Sequence, residues 1–132
     1  MRDKRQPCKL TTLDAAARLV RAGDTVGVGG MTLYRKPMAF VRELARVGAK
    51  DLTLLGFTCS FEAELLAAAG VLGTIRTCYF GMEFLGLAPR LRRATEEGRI
   101  KIVEETEYTI APQSTEASAD VLQDFSVSHW YV

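Results

Sequence analysis

Several residue types that carry chemistry are scarce in this sequence. Its 132 residues include three cysteines, one histidine and one tryptophan. Cys8, Cys59 and Cys78 form no CxxC pair, and with His129 they form no zinc-binding pattern. Their small number and irregular spacing exclude a disulfide scaffold. We therefore expect reduced, structural thiols and no metal site.

Cys59 is the one thiol with an alternative, catalytic interpretation. It stands between two hydroxyl residues near a predicted helix start, where a thiolate could be stabilised. No histidine lies nearby in the sequence to act as its base, although a nucleophilic cysteine normally needs one. The pattern favours a structural thiol over a nucleophile.

Long apolar runs and an excess of charge are also missing. The 17 basic and 16 acidic residues leave a formal charge of +1, with no dense basic stripe, so nucleic acid is a poor partner. Charges or glycines break every apolar stretch before the ~18 residues of a membrane span. The basic residues of the first six positions precede no apolar segment, so we expect no secretory signal, no membrane partner and a cytoplasmic protein.

What is present is an alternation of short apolar strands and helical segments. The composition, 48% hydrophobic and 25% charged, is typical of one globular domain. Thr11, with Asp14 three residues later, resembles the capping box of a first helix, and Pro37 fits the first position of a second. The predicted strands are residues 25–28, 52–55, 74–78 and 100–103, with further helices at 61–69 and 89–97.

This alternation predicts an α/β fold with an open, mostly parallel sheet and helices on both faces. We expect residues 10–111 to form this domain and residues 1–9 to be a disordered N-terminus. Residues 112–132 are polar and small at first and then lack core patterning, which is typical of a tail.

The strongest candidate site follows the first strand. Ligands of open parallel sheets bind beyond the carboxyl ends of the strands, and Gly27, Gly29 and Gly30 lie at that end. Glycines there allow backbone N–H groups to approach an anion closely. Thr32 replaces the third glycine of a dinucleotide fingerprint, which excludes that motif. A strand-to-helix turn without a ligand remains the alternative.

Charged side chains follow the same strand ends. Arg35 and Lys36 lie between the glycines and the second helix, where they could hold a carboxylate or a phosphate. Glu104, Glu105 and Glu107 follow the fourth strand and could place a carboxylate in the same crevice. Solvated loop charges are the alternative for both groups. After the third strand come apolar residues that suit a core or a subunit interface, namely Tyr79, Phe80, Met82 and Phe84.

Residues 26–39, VGVGGMTLYRKPMA, resemble the glycine-rich signature of the alpha subunit of family I coenzyme A transferases. They are most similar to the alpha-subunit group of glutaconate CoA-transferase. Residues 51–55, 75–81 and 104–108 resemble the same group, so the resemblance covers residues 10–111. Family chains are longer, and residues 112–132 resemble nothing in the family. We therefore expect a partial domain, the N-terminal portion, followed by a divergent tail.

The resemblance implies a hetero-oligomeric enzyme that moves coenzyme A between carboxylic acids. In this family a glutamate becomes an acyl anhydride and then a glutamyl-CoA thioester, and the resemblance places that glutamate on a beta-type partner subunit. Gly29 and Gly30 would supply backbone donors to the oxyanion, and Arg35 or Lys36 would hold the acid or the CoA. Acyl-CoA enters as a substrate, and no resident cofactor is expected. The chain should be inactive without its partner.

Two alternatives remain open at this point. Some members of the superfamily are hydrolases that open a ring on a CoA thioester, and residues 35–41, RKPMAFV, are also similar to them. In that branch Glu107 is the candidate general base. The second alternative is a non-catalytic remnant whose glycine turn is only structural.

Overall fold

The computed structural model describes residues 10–110 of the chain. The predicted disordered N-terminus, residues 1–9, and the predicted tail, residues 112–132, lie outside the described residues. The limits of the predicted domain therefore stay predictions. The elements in chain order are α1 Leu13–Ala17, β1 Thr25–Gly27, α2 Met38–Val47, β2 Leu52–Leu55, β3 Thr58–Cys59, α3 Phe61–Ala68, β4 Leu72–Thr77, β5 Tyr79–Phe80, a 3-10 turn Glu83–Leu85, α4 Pro89–Glu96 and β6 Lys101–Glu104.

The main sheet has four parallel strands in the order β1-β2-β4-β6. One row of side chains across it is Val26, Leu54, Ile75 and Ile102, all apolar and all in or against the hydrophobic core. Leu54 and Ile75 on the two central strands are fully buried. The structure thus confirms the predicted open, parallel α/β sheet.

The helices α1 to α4 form one layer. Each strand of the main sheet is added on the same side of the one before it, and one helix connects each consecutive pair. Right-handed crossovers in an order that never reverses place all connecting helices on one face. The contacts of α1 with α2, of α2 with α3 and of α3 with α4 agree with this. These four helices therefore cover one face. Residues 107–110 are also helical and stand at the end of the described residues, so helices on both faces stay a prediction.

The core lies between that helical layer and the sheet. Leu44 of α2, Leu66 of α3 and Leu91 of α4 are each at most 1% exposed. Full burial of such a side chain contributes about 1.5–3 kcal/mol. Gly48, with φ +75°, ends α2.

Three local features differ from the sequence predictions. The cap of α1 is Thr12, not Thr11, because Thr12 Oγ1 accepts the N–H of Ala15 at 3.2 Å. Pro37 takes the N-cap place of α2 rather than its first helical position. Residues 58 and 59, where no strand was predicted, form the strand β3, which pairs in parallel with β5.

Within residues 10–110, no helix has both the length and the apolar character that crossing a bilayer requires.

Candidate active site in the glycine loop

Residues 28–37, here called the glycine loop, connect the carboxyl end of β1 to α2. The N–H of Val28 donates to the carbonyl of Leu55 at 2.9 Å and so fixes the start of the loop to β2. Met31 and Tyr34 exchange backbone hydrogen bonds of 3.0 and 2.7 Å and close a tight turn. Gly29 and Gly30 are exposed, and within residues 10–110 their N–H groups have no acceptor. Two backbone donors are therefore available to a ligand at this end of the sheet.

The two glycines differ in what surrounds them. Gly30 has φ +94°, and a Cβ on it would lie 2.6 Å from the carbonyl oxygen of Arg35 and 2.7 Å from that of Tyr34. A side chain there would collide with backbone, so the path of the loop requires glycine. Gly29 has no positive φ and has no atom within 4 Å of its Cβ position. Open space therefore lies beside Gly29, while Gly30 shapes the turn.

The loop contains backbone strain at two residues other than glycine. Thr32 has φ +42° and Arg35 has φ +57°. A positive φ costs about 1–3 kcal/mol and is rare for a β-branched residue such as threonine. The strain at Thr32 is offset because its N–H donates to Thr58 Oγ1 at 2.8 Å and its carbonyl accepts the hydroxyl of Ser60. Strained backbone held by buried hydrogen bonds is characteristic of functional sites.

Lys36 lies inside the protein rather than on the ligand side of the loop. Its side chain is 2% exposed, and Nζ lies 2.7 Å from Oε1 of Glu62, whose side chain is 0% exposed. Nζ also donates to the carbonyl of Thr58 at 2.6 Å. The sequence predicted a substrate-binding Lys36, and the structure places its ammonium in a buried ion pair instead. Arg35 is exposed and remains the candidate cation of the loop.

Cys59 is buried directly beside this ion pair. It is fully buried, and desolvation, together with the negative charge of Glu62, raises the pKa of its thiol to about 12. A thiol with this pKa stays protonated at neutral pH and is a poor nucleophile. The structure supports a structural thiol, as the sequence predicted.

Of the carboxylates after the fourth strand of the main sheet, Glu105 is the one held in place. Its side chain is 8% exposed, and Oε1 accepts the Nε of Arg76 at 2.9 Å. The hydroxyl of Thr109 donates to Oε2 at 2.7 Å. Glu107, the predicted general base, is exposed, and its side chain makes no hydrogen bond or ion pair within residues 10–110. The structure therefore does not join Glu107 to the glycine loop.

Sequence reasoning missed the residues that support the loop from below. From the sequence, Thr58, Ser60 and Glu62 had no predicted site role, and Glu62 only fell within the predicted helix 61–69. Glu62 stands among the apolar residues of α3 and is itself fully buried. A glutamate is almost never fully buried unless it is paired, so the two carboxylates on a mostly apolar helix, Glu62 and Glu64, were the available signal.

Two other kinds of site, a metal site and a surface depression, do not coincide with the glycine loop. Residues 10–110 contain no group of three or more His, Cys, Asp or Glu side chains that could hold a metal ion. An open depression of about 500 Å³ lies on the outside of α4, and none of its lining residues belongs to the glycine loop.

The sequence relatives of this chain include subunits of a CoA-transferase and of a ring-cleaving hydrolase. It is 34% identical over 92 residues to the A-type subunit of glutaconate CoA-transferase of Acidaminococcus fermentans, covering 69% of this chain and 29% of the relative. It is 37% identical over 83 residues to the IpdA subunit of the cholesterol ring-cleaving hydrolase of Mycobacterium tuberculosis, covering 63% of this chain and 27% of the relative. The chain thus spans less than a third of either relative.

The fold has a counterpart among solved structures. The crystal structure of glutaconate coenzyme A-transferase from Acidaminococcus fermentans superposes with a TM-score of 0.74 at 30% identity, over 85% of this chain and 36% of the other. In addition, residues 10–113 match the family described as coenzyme A transferase. That range includes the whole glycine loop and every strand of the sheet. The chain therefore belongs to the coenzyme A transferase family.

Proposed function

We propose that this chain is the N-terminal portion of the alpha-type subunit of a transferase that moves coenzyme A between carboxylic acids. The glutamate that carries the acyl group and then the CoA lies on a beta-type partner subunit. The family and the glutaconate CoA-transferase relative support this assignment. The observation that carries it is that the exposed residues Gly29 and Gly30, at the carboxyl end of a parallel sheet, have N–H groups without an acceptor within residues 10–110. A cytoplasmic location is part of the proposal.

The proposed chemistry explains why such donors are needed. The partner's glutamate carboxylate attacks the thioester carbonyl, the carbonyl oxygen becomes an oxyanion, and the CoA thiolate leaves as an acyl-glutamyl anhydride forms. The thiolate then attacks the glutamyl carbonyl and releases the first carboxylic acid. A second acid reverses both steps and leaves as its CoA ester. A carboxylate is a weak nucleophile, and one backbone donor to the oxyanion contributes about 3–4 kcal/mol in the transition state.

Arg35 has the second role in this proposal. It is exposed on the same loop as the two glycines, and a guanidinium binds a carboxylate or phosphate through two parallel hydrogen bonds. Arg35 would hold the carboxylate of the acid or a phosphate of the CoA. The buried position of Lys36 argues against a similar role for its ammonium.

The test is to produce this chain together with the product of the adjacent beta-type reading frame and to assay the mixture. Acetyl-CoA and a panel of dicarboxylic acids serve as substrates. We expect transfer only when both chains are present. Borohydride reduction after exposure to acyl-CoA should modify a glutamate of the partner, as seen by mass spectrometry. A modified glutamate on this chain would contradict the assignment.

A ring-opening hydrolase is the second candidate, because the IpdA subunit is as similar to this chain as the transferase subunit is. Here a carboxylate of this chain would activate water as a general base. Comparing the activities of Glu107→Gln and Glu105→Gln tests which carboxylate is the base: that of Glu107, which is exposed, or that of Glu105, which is paired with Arg76. Water-dependent conversion of a cyclic CoA ester to its open-chain carboxylate, still joined to CoA, without an acceptor acid and lost in one of these variants, would favour the hydrolase. Strict dependence on an acceptor acid would favour the transferase.

A further inference from the structure

The ion pair of Lys36 and Glu62 is an unusual feature for the interior of so small a domain. Both side chains are at most 2% exposed, and their atoms approach to 2.7 Å. The angles of this approach fall outside those of a hydrogen bond, and Oε1 of Glu62 has no hydrogen-bond donor within residues 10–110. Two apolar side chains of similar volume would often be equally stable at such a site. Stability alone is therefore a weak explanation for the pair.

The pair belongs to a larger polar network that joins two loops. Lys36 is the next-to-last residue of the glycine loop, and Glu62 lies in the first turn of α3. Between them, Thr58 accepts the ammonium of Lys36 on its carbonyl and the N–H of Thr32 on its hydroxyl. The hydroxyl of Ser60 donates to the carbonyl of Thr32 and lies 3.3 Å from Oε2 of Glu62. We call these five residues, Thr32, Lys36, Thr58, Ser60 and Glu62, the loop anchor.

The loop anchor holds the far end of the short segment that carries the two free N–H groups. Gly29 and Gly30 lie between Val28, which is bonded to β2, and Thr32, whose N–H and carbonyl are both held by the anchor. Their peptide planes can therefore rotate little while both ends stay in place. Thr32 and Arg35 have positive φ angles, so this backbone would relax to another path without the anchor.

We propose that the buried Lys36–Glu62 pair positions the N–H groups of Gly29 and Gly30 toward the reacting carbonyl and does not contact substrate. This role rests on the proposed transferase function, since it needs an oxyanion at the glycines. Lys36 is then a positioning residue that acts through Thr58 and Thr32. Its burial distinguishes it from Arg35, the neighbouring cation, which is exposed.

The decisive variant is the double substitution Lys36→Met with Glu62→Met, made in the chain assembled with its partner. The single Lys36→Met leaves a buried, unpaired carboxylate and should lose folded protein, whereas the double variant leaves no buried charge. The matched control is Arg92→Met with Glu96→Met, an ion pair on the surface of α4 whose side chains are 60% and 61% exposed. The control should match the wild type in every measurement.

Hydrogen–deuterium exchange tests the anchor without reference to activity. We expect faster exchange of the Thr32 amide in the double variant, read from peptides covering residues 29–35, while core peptides of β2 and β4 keep their protection. Unchanged exchange at Thr32 would contradict the claim that the Lys36–Glu62 pair holds the backbone of Thr32 in place. Because this measurement needs no substrate, it decides the anchor even if the assembly proves to have no transferase activity, a result that would refute only the proposed function.

Steady-state kinetics then distinguishes three roles for the Lys36–Glu62 pair: positioning the backbone donors, binding substrate, and stabilising the fold only. We expect kcat of the double variant to fall at least about tenfold with KM within about twofold, because misplaced donors weaken the transition state more than substrate binding. A raised KM with unchanged kcat would show that Lys36 binds ligand and would overturn the proposal. Unchanged kcat and KM in a folded double variant would show a purely structural pair and would overturn it equally.

Discussion

At the scale of single residues, the two glycines of the loop should differ in how well they tolerate substitution by a residue with a side chain. Gly30→Ala places a methyl group 2.6 Å from a backbone oxygen at φ +94°, so we expect the free energy of unfolding to fall by about 1–3 kcal/mol or more. Gly29→Ala meets open space and should change it by less than about 1 kcal/mol. Urea denaturation of both variants measures the difference. Equal losses would contradict the described path of the loop.

The thiol of Cys59 offers a second test at this scale. Burial and the nearby carboxylate of Glu62 raise its pKa to about 12, and a protonated, inaccessible thiol does not react with alkylating agents. At pH 8, iodoacetamide should modify Cys59 only after denaturation. Cys78 is partly exposed and serves as the internal comparison, since it should react sooner. Rapid labelling of Cys59 in the folded chain, located by peptide mass spectrometry, would argue against this environment.

At the scale of elements, α4 is capped by a residue of another helix. Its N-cap residue, Ala88, has no side chain to cap it, and Glu64 of α3 accepts the N–H groups of Arg90 and Leu91 at 2.9–3.0 Å. A carboxylate there satisfies two unpaired donors and interacts favourably with the helix dipole. The cap therefore also holds α3 against α4.

We expect Glu64→Ala to lower the free energy of unfolding by about 1–2 kcal/mol, because two amides of α4 lose their acceptor. The matched control is Glu96→Ala near the other end of α4, whose exposed ion pair with Arg92 contributes little. It should change stability by less than about 0.5 kcal/mol. Thermal or urea unfolding of the two variants measures both values, and an equal effect would rule out the capping role.

At the scale of the whole molecule, the proposed subunit role makes stability depend on the partner. A partner that binds only the folded chain stabilises it by mass action, by about 2.7 kcal/mol at a partner concentration a hundredfold above Kd. The melting temperature of this chain should therefore rise as the beta-type subunit is added. An unrelated protein at the same concentration is the control. A melting temperature that is independent of the partner would contradict the proposed assembly.

Local patterns in the sequence were sufficient to predict the order of the main strands and helices and to identify the family. The apolar strands and the glycines after β1 depend on neighbours in the chain, so they could be predicted. The likeness in the glycine loop identified the coenzyme A transferase family, which the comparisons confirm. The site roles of Gly29, Gly30, Arg35 and Glu107 stay predictions.

Contacts between distant segments could not be predicted in the same way. The spacing to Asp14 favoured Thr11 as the cap of α1, whereas the structure places the cap at Thr12 in a helix that buries Ala16 and Ala17. The pairing of β3 with β5 involves only two residues on each strand, too few to give a periodic signal. The sequence by itself determined the fold class and the glycine-rich turn, because these follow from local propensity and apolar pattern. Only the tertiary structure decided that Lys36 is buried against Glu62 and Arg35 exposed, because adjacent cations differ only in what the fold packs against them.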